Sequence, residues 1–109
     1  MVGSRPTGWW RDRAGAARTF VDGVRAAVAG GGLEAPVVVV LEGAARGGVE
    51  EGVGGGVEVV HAPGSGDDTL AERAGPGVTL VSADRELGER ARRVGADVVG
   101  PRWLLDRLA

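Results

Sequence analysis

The chain of 109 residues contains no cysteine, no lysine and no tyrosine, and it has a single histidine. Without cysteine, neither a disulfide framework nor a thiolate metal site is available, and one histidine is too few for the usual zinc ligand sets. A bound metal ion would therefore be held by oxygen atoms. Every cation is arginine and there are 21 glycines, which we interpret as coding bias rather than as evidence for a nucleic-acid ligand.

Long apolar runs are absent as well. No stretch approaches the roughly 18 apolar residues of a membrane span, and the first residues, with Arg5, Pro6, Arg11 and Asp12, lack the apolar segment of a signal peptide. We therefore expect no membrane partner and a cytoplasmic location. The length and the 43% hydrophobic content predict one small domain over residues 1–109.

The charge is unevenly distributed around a net value of −2. Residues 1–32 carry five arginines and two acids, residues 33–89 three arginines and eleven acids, and residues 90–109 five arginines and two acids. An acidic middle between basic ends suits a chain that binds cations centrally and phosphates at its flanks. Ordinary solvated helix faces produce the same distribution.

The spacing of apolar residues predicts alternating helices and strands. Spacings of three and four predict an amphipathic helix over 13–29, and the doubly apolar run 37–41 predicts a strand buried on two sides. The acidic, glycine-rich segment 43–56 predicts a surface loop with one turn of helix. The other predicted elements are strands over 57–61, 78–82 and 96–99, and helices over 67–74, 85–94 and from residue 101 onwards. Glu58 interrupts its strand, which indicates a position near a sheet edge.

This order of elements predicts an α/β fold, a three-layer α/β sandwich with a mostly parallel sheet. Acidic segments follow two of the predicted strands, and each opens a predicted helix: Gly64-Ser65-Gly66-Asp67-Asp68-Thr69 and Ser82-Ala83-Asp84-Arg85-Glu86. The carboxyl ends of parallel strands face one crevice, so acids placed there converge although they are distant in sequence. The two segments therefore indicate a metal site.

Together with the stretch from Gly3 to Arg13, the run from Val37 to Gly43 and the ending from Ala96 to Leu105, these segments resemble the NYN-domain branch of the PIN-like ribonucleases. The likeness covers nearly the whole chain. In that superfamily an Asp followed three positions later by an aliphatic residue opens a helix, as Asp67 and Leu70 do here. A Ser/Thr-x-Asp leaves the fourth strand, as Ser82-Ala83-Asp84 does here.

The resemblance implies a metal-dependent endoribonuclease, in which carboxylates hold Mg²⁺ or Mn²⁺ and an activated water hydrolyses an RNA phosphodiester. On this reading Asp67 and Asp84 are the catalytic metal ligands. Asp68 and Glu86 are further ligands or hold metal-bound water, and Glu42 follows a strand that reaches the same crevice. A purely structural role as helix caps or as partners of the helix dipole is the competing interpretation of these acids.

RNA contacts are predicted for Arg5, Trp10, Arg11 and Arg13, because arginine binds phosphates and tryptophan stacks on bases. The competing interpretation has tryptophan packing over the core and the arginines solvated or ion-paired. His61 ends a strand and is expected to be structural.

PIN-like domains begin with a central strand that ends in Asp, and this chain contains no match to that strand. We therefore expect an N-terminally truncated domain of marginal stability. The missing strand would bury about five apolar side chains, each of which contributes about 1.5 to 3 kcal/mol. That sum is as large as the whole net stability of a typical domain, roughly 5 to 15 kcal/mol. Either the start has been assigned at an internal Met, or the truncation is real. A truly truncated domain lacks the first-strand Asp, so we expect it to bind metal weakly, to cleave poorly or not at all, and to pair its exposed strand edges with a second copy as a homodimer.

Two other functional classes fit the same residues. The segment Gly64-Ser65-Gly66 resembles a shortened dinucleotide loop, but Asp67 and Asp68 would repel a pyrophosphate and Thr69 stands where the third glycine belongs. We therefore expect no nucleotide cofactor. The second class is a non-catalytic RNA-binding or protein-interaction module on the same fold.

Overall fold

A computed structural model describes residues 12–108 as a small mixed α/β protein with two compact units, one ending at Gly64 and the other beginning at Ser65. Each unit contains helices and a sheet with a parallel pair of strands, so the predicted α/β class is confirmed. The predictions for Arg5, Trp10 and Arg11 lie outside the described residues. The single domain predicted over 1–109 stays a prediction.

The first unit opens with helix α1, Arg13–Ala29, as the apolar spacing predicts. Its first turn is capped by Asp12, whose Oδ1 accepts a hydrogen bond of 2.8 Å from the Gly15 N–H. The buried residues of the helix recur at spacings of three and four; they are Ala17, Val21 and Val24. The helix ends at Ala29 with Gly30 as its C-cap, and Gly31 follows in the left-handed region with φ 86°.

The sheet of the first unit has three strands, β1 (Val37–Leu41), β2 (Gly52–Gly54) and β3 (Val57–His61), in the order β1-β3-β2. The β1 and β3 strands are parallel, whereas β2 and β3 form an antiparallel hairpin. Strand β2 was not predicted, because its glycines are typical of loops. Its presence places β3 at the centre of this sheet, so the edge position inferred from Glu58 is wrong.

Between β1 and β2 the chain forms a 3-10 helix, Gly43–Gly48, where one helical turn was predicted. This helix packs against the beginning of α1, and at Gly48 the two backbones come very close. A Cβ atom at Gly48 would collide with the backbone carbonyl of Ala14. Glycine is therefore required at this position by close approach rather than by an unusual φ angle.

The second unit contains α2 (Gly66–Arg73), β4 (Thr79–Val81), α3 (Arg85–Arg93), β5 (Asp97–Val99) and α4 (Pro101–Leu108). All five elements agree with their predicted positions to within a few residues. Strands β4 and β5 are parallel and form a sheet of their own. The core of the unit consists of buried apolar residues of β4, α3 and the turn before β5: Leu80, Leu87, Ala91 and Ala96. Partly buried residues of α2, of its C-cap and of β5 pack against this core: Leu70, Ala71, Ala74 and Val98.

Over the part of the chain that the structure describes, no helix has the length and apolar character needed to cross a membrane.

Candidate metal site and RNA contacts

Asp67 and Asp68 of the first acidic motif lie in the first turn of α2, and both are exposed. The cap of this helix is neither of them. Ser65 is the N-cap, and its Oγ accepts a hydrogen bond of 3.2 Å from the Asp67 N–H. The two carboxylates therefore lie next to the positive end of the helix dipole, and neither of them is the N-cap.

Asp84 of the second motif is the N-cap of α3. Its Oδ1 accepts a hydrogen bond of 2.9 Å from the Leu87 N–H, and its own N–H donates to Ser82 Oγ at 3.0 Å. Asp84 therefore has the structural role of a helix cap, which was the competing interpretation of this acid. The cap uses Oδ1, so Oδ2 is left for a further partner.

Helices α2 and α3 are linked on their surface by an ion pair between Asp68 Oδ1 and Arg90 Nη1, 3.4 Å apart. Both side chains are well exposed, 74% for Asp68 and 43% for Arg90, so the pair contributes only about 0 to 1 kcal/mol. The spacing within α3 favours Glu86 as the partner of Arg90, whereas the structure has Arg90 reaching across to α2. The packing of α2 against the apolar core, rather than this ion pair, holds the two helices together.

The other residues singled out in the sequence are found in both units. Glu86 lies exposed in the first turn of α3, and Glu42 precedes the 3-10 helix in the first unit. The ring Nε2 of His61 is 2.7 Å from the Val49 carbonyl oxygen, and the His61 N–H donates to Glu51 Oε1 at 2.7 Å. His61 therefore tethers the loop before β2 to β3, which is the structural role expected for it.

The donor chemistry of the acidic motifs fits a hard divalent cation. Asp67, Asp68, Asp84 and Glu86 offer only carboxylate oxygens, which Mg²⁺ and Mn²⁺ prefer, and all four are exposed. Within residues 12–108, no three His, Asp or Glu side chains are grouped so that they could hold a metal ion. Which of the four carboxylates would bind a cation together stays a prediction.

Arg13, the predicted RNA contact that the structure describes, is the first residue of α1 and is exposed. The structure adds Arg46 of the 3-10 helix, which the sequence did not single out. Its Nε–H donates to the Gly43 carbonyl oxygen at 3.2 Å and its Nη1 to the Ala62 carbonyl oxygen at 3.4 Å. The available signal was an arginine in a glycine-rich segment directly after a buried strand.

No match is found for this chain among protein-family models, among curated proteins or among solved structures. The resemblance to the NYN branch therefore rests on the motifs themselves.

Proposed function

We propose that this protein is a metal-dependent endoribonuclease domain of the PIN-like NYN type, which hydrolyses RNA with Mg²⁺ or Mn²⁺. One observation carries the proposal. Asp67 and Asp68 lie in the first turn of α2 and Asp84 caps α3. Both helices pack around the same apolar core and are linked by the contact between Asp68 and Arg90. A three-layer sandwich is the fold that this proposal implies.

Asp84 is held in a way that suits a metal ligand. Two hydrogen bonds, from its N–H to Ser82 and from Leu87 to its Oδ1, fix both its backbone and its carboxylate. A side chain fixed in advance loses little conformational freedom when a ligand binds. The oxygen Oδ2 is the one left for a cation, and Asp67 supplies the second carboxylate. Asp84 and Asp67 would hold a divalent cation, and the chemistry it would supply there is neutralisation of a phosphate and a lowered pKa of a bound water.

The test is cleavage of a labelled single-stranded RNA in the presence of Mn²⁺. We expect the unaltered chain to cleave, and we expect Asp67→Asn and Asp84→Asn each to lower the rate by at least about tenfold. Asn is as good an N-cap as Asp, so Asp84→Asn removes the charge while it keeps the cap of α3.

Asp97→Asn is the matched control, because Asp97 is an exposed acid of the same unit. It is the first residue of β5, whereas Asp84 follows the carboxyl end of β4. Its rate is expected to equal that of the unaltered chain. Undiminished cleavage by Asp84→Asn would refute the proposed site, since the charge on Asp84 would then have no part in the reaction.

A non-catalytic RNA-binding or protein-interaction module is the second candidate. A specific observation favours it: Asp84 already caps α3 and Asp68 already pairs with Arg90, so both acids have structural uses. This candidate predicts RNA or protein binding that is insensitive to Mn²⁺, with no cleavage. Titration with Mn²⁺ during the RNA assay separates the two, because a nuclease responds to the metal and such a module does not.

A further inference from the structure

Three exposed arginines lie on the 3-10 helix of the first unit or on the first two turns of α1, against which it packs, and we name Arg13, Arg18 and Arg46 the arginine patch. Arg18 Nε–H donates to the Gly48 carbonyl oxygen at 3.3 Å, and Arg46 bonds to Gly43 at the other end of the same helix. Arg13 directly precedes Ala14, whose backbone the 3-10 helix approaches at Gly48. The packing of these two elements thus brings together segments whose arginines are up to 33 positions apart in the sequence, 13 to 46.

Arg46 has the most defined position of the three. Its guanidinium is held by two backbone carbonyl oxygens, those of Gly43 and Ala62. These bonds use the Nε proton and one Nη1 proton, so the Nη2 protons remain for another acceptor. Carbonyl oxygens are neutral, and the positive charge is therefore not cancelled by these partners. A planar cation with free parallel N–H groups is the side chain best suited to a phosphate.

The contact with Ala62 also gives Arg46 its place in the fold. Ala62 directly follows β3, and its N–H donates to the carbonyl oxygen of Leu41, the last residue of β1, at 2.8 Å. Arg46 therefore stands at the carboxyl ends of the two parallel strands β1 and β3. In parallel sheets this edge is where ligands bind.

We propose that Arg46 binds a phosphate of the RNA backbone, with Arg13 and Arg18 as the flanking cations of the same contact. This inference rests on the proposed function, because it names the surface that holds the substrate. Arg46 acts by positioning the RNA and does not take part in the chemical step. Its contribution to binding is independent of the base sequence, because contacts to phosphate do not distinguish one base from another.

The first experiment measures binding of a labelled single-stranded RNA by fluorescence anisotropy, in chelator so that no cleavage interferes. Arg46→Gln is expected to weaken binding about tenfold and to reduce the slope of log Kd against log salt by about 0.7, the value for one phosphate contact to a single strand. Arg25→Gln is the matched control. Arg25 lies on α1 seven residues after Arg18, about 10 Å along the helix from the nearest arginine of the patch on that helix, and its replacement is expected to change neither quantity.

A second measurement does not depend on the variant folding. Modification of arginines by phenylglyoxal, read by mass spectrometry, is expected to be suppressed by RNA at Arg46 and unchanged at Arg25. Inorganic phosphate at the same phosphate concentration is expected to protect Arg46 far less than RNA does.

Three results would overturn the inference: wild-type affinity and salt slope in a folded Arg46→Gln variant, equal modification of Arg46 with and without RNA, or equal protection by inorganic phosphate. If the unaltered chain cleaves RNA and Arg46 gives any of these results, this inference alone fails. If the unaltered chain neither binds nor cleaves RNA, the proposed function fails with it.

Discussion

Asp84 has a structural role and a proposed chemical role, and the two use different atoms of its carboxylate. Oδ1 accepts the Leu87 N–H and thereby begins α3. The proposed metal ligand is Oδ2. The cap requires only an oxygen acceptor, whereas a cation is held by negative charge, so a neutral isostere distinguishes the two roles.

Replacement of Asp84 is therefore expected to affect stability and chemistry separately. Asp84→Ala removes the cap of α3 and should lower the free energy of unfolding by about 0.5 to 2 kcal/mol, whereas Asp84→Asn should leave it nearly unchanged. Urea unfolding followed by circular dichroism measures both values. Equal destabilisation by Asn and Ala would show that the charge, rather than the hydrogen bond to Leu87, stabilises the helix.

At the scale of secondary structure, the 3-10 helix packs against the beginning of α1, and this contact holds together the two elements that carry the arginine patch. The contact depends on Gly48, where a side chain would meet the backbone of Ala14. At Gly47, one residue earlier, an added Cβ would lie 3.8 Å from the Ala14 Cβ, which is an ordinary van der Waals distance.

Gly48→Ala is accordingly expected to destabilise the protein by about 1 to 3 kcal/mol, because a backbone carbonyl cannot move aside as a side chain can. Gly47→Ala serves as its control and should change the stability by less than about 0.5 kcal/mol. The comparison uses the midpoint of urea unfolding for the two variants. A Gly48→Ala variant as stable as Gly47→Ala would mean that the two elements do not pack as described.

The sequence predicted most elements because their signals are local. Apolar residues at spacings of three and four mark α1, and the valine run marks β1. Strand β2 was missed since its residues, Gly52–Gly54, have little strand propensity. Its signal was the turn that follows, in which Gly55 and Gly56 have φ values of 60° and 80°, as a tight hairpin turn requires.

At the scale of the whole molecule, the strand-exit positions of the acids could be predicted, but their partners could not. Ser82-Ala83-Asp84 follows β4 as expected. The pairing of Asp68 with Arg90 and the tethering of Arg46 to Ala62 join residues 22 and 16 positions apart. Such contacts are set by how helices and strands pack in three dimensions, and apolar periodicity carries no information about them.

The uneven charge distribution of the sequence relates to both the acidic motifs and the arginine patch. The acidic middle of the sequence contains Asp67, Asp68 and Asp84, and the basic N-terminal part contains Arg13 and Arg18 of the arginine patch. Arg46, the third arginine of the patch, lies within the acidic middle. A protein that binds a divalent cation and an RNA backbone needs both kinds of surface, because the cation and the phosphates carry opposite charges. The central claim is that the acidic motifs hold the cation.

Calorimetric titration with Mn²⁺ tests this claim most directly, because it requires neither RNA nor turnover. We predict that the unaltered chain and Asp97→Asn bind Mn²⁺ with the same affinity, and that Asp67→Asn and Asp84→Asn each weaken binding at least about tenfold. Mn²⁺ binding that is unchanged in both Asp67→Asn and Asp84→Asn, or no binding by the unaltered chain, would contradict the account.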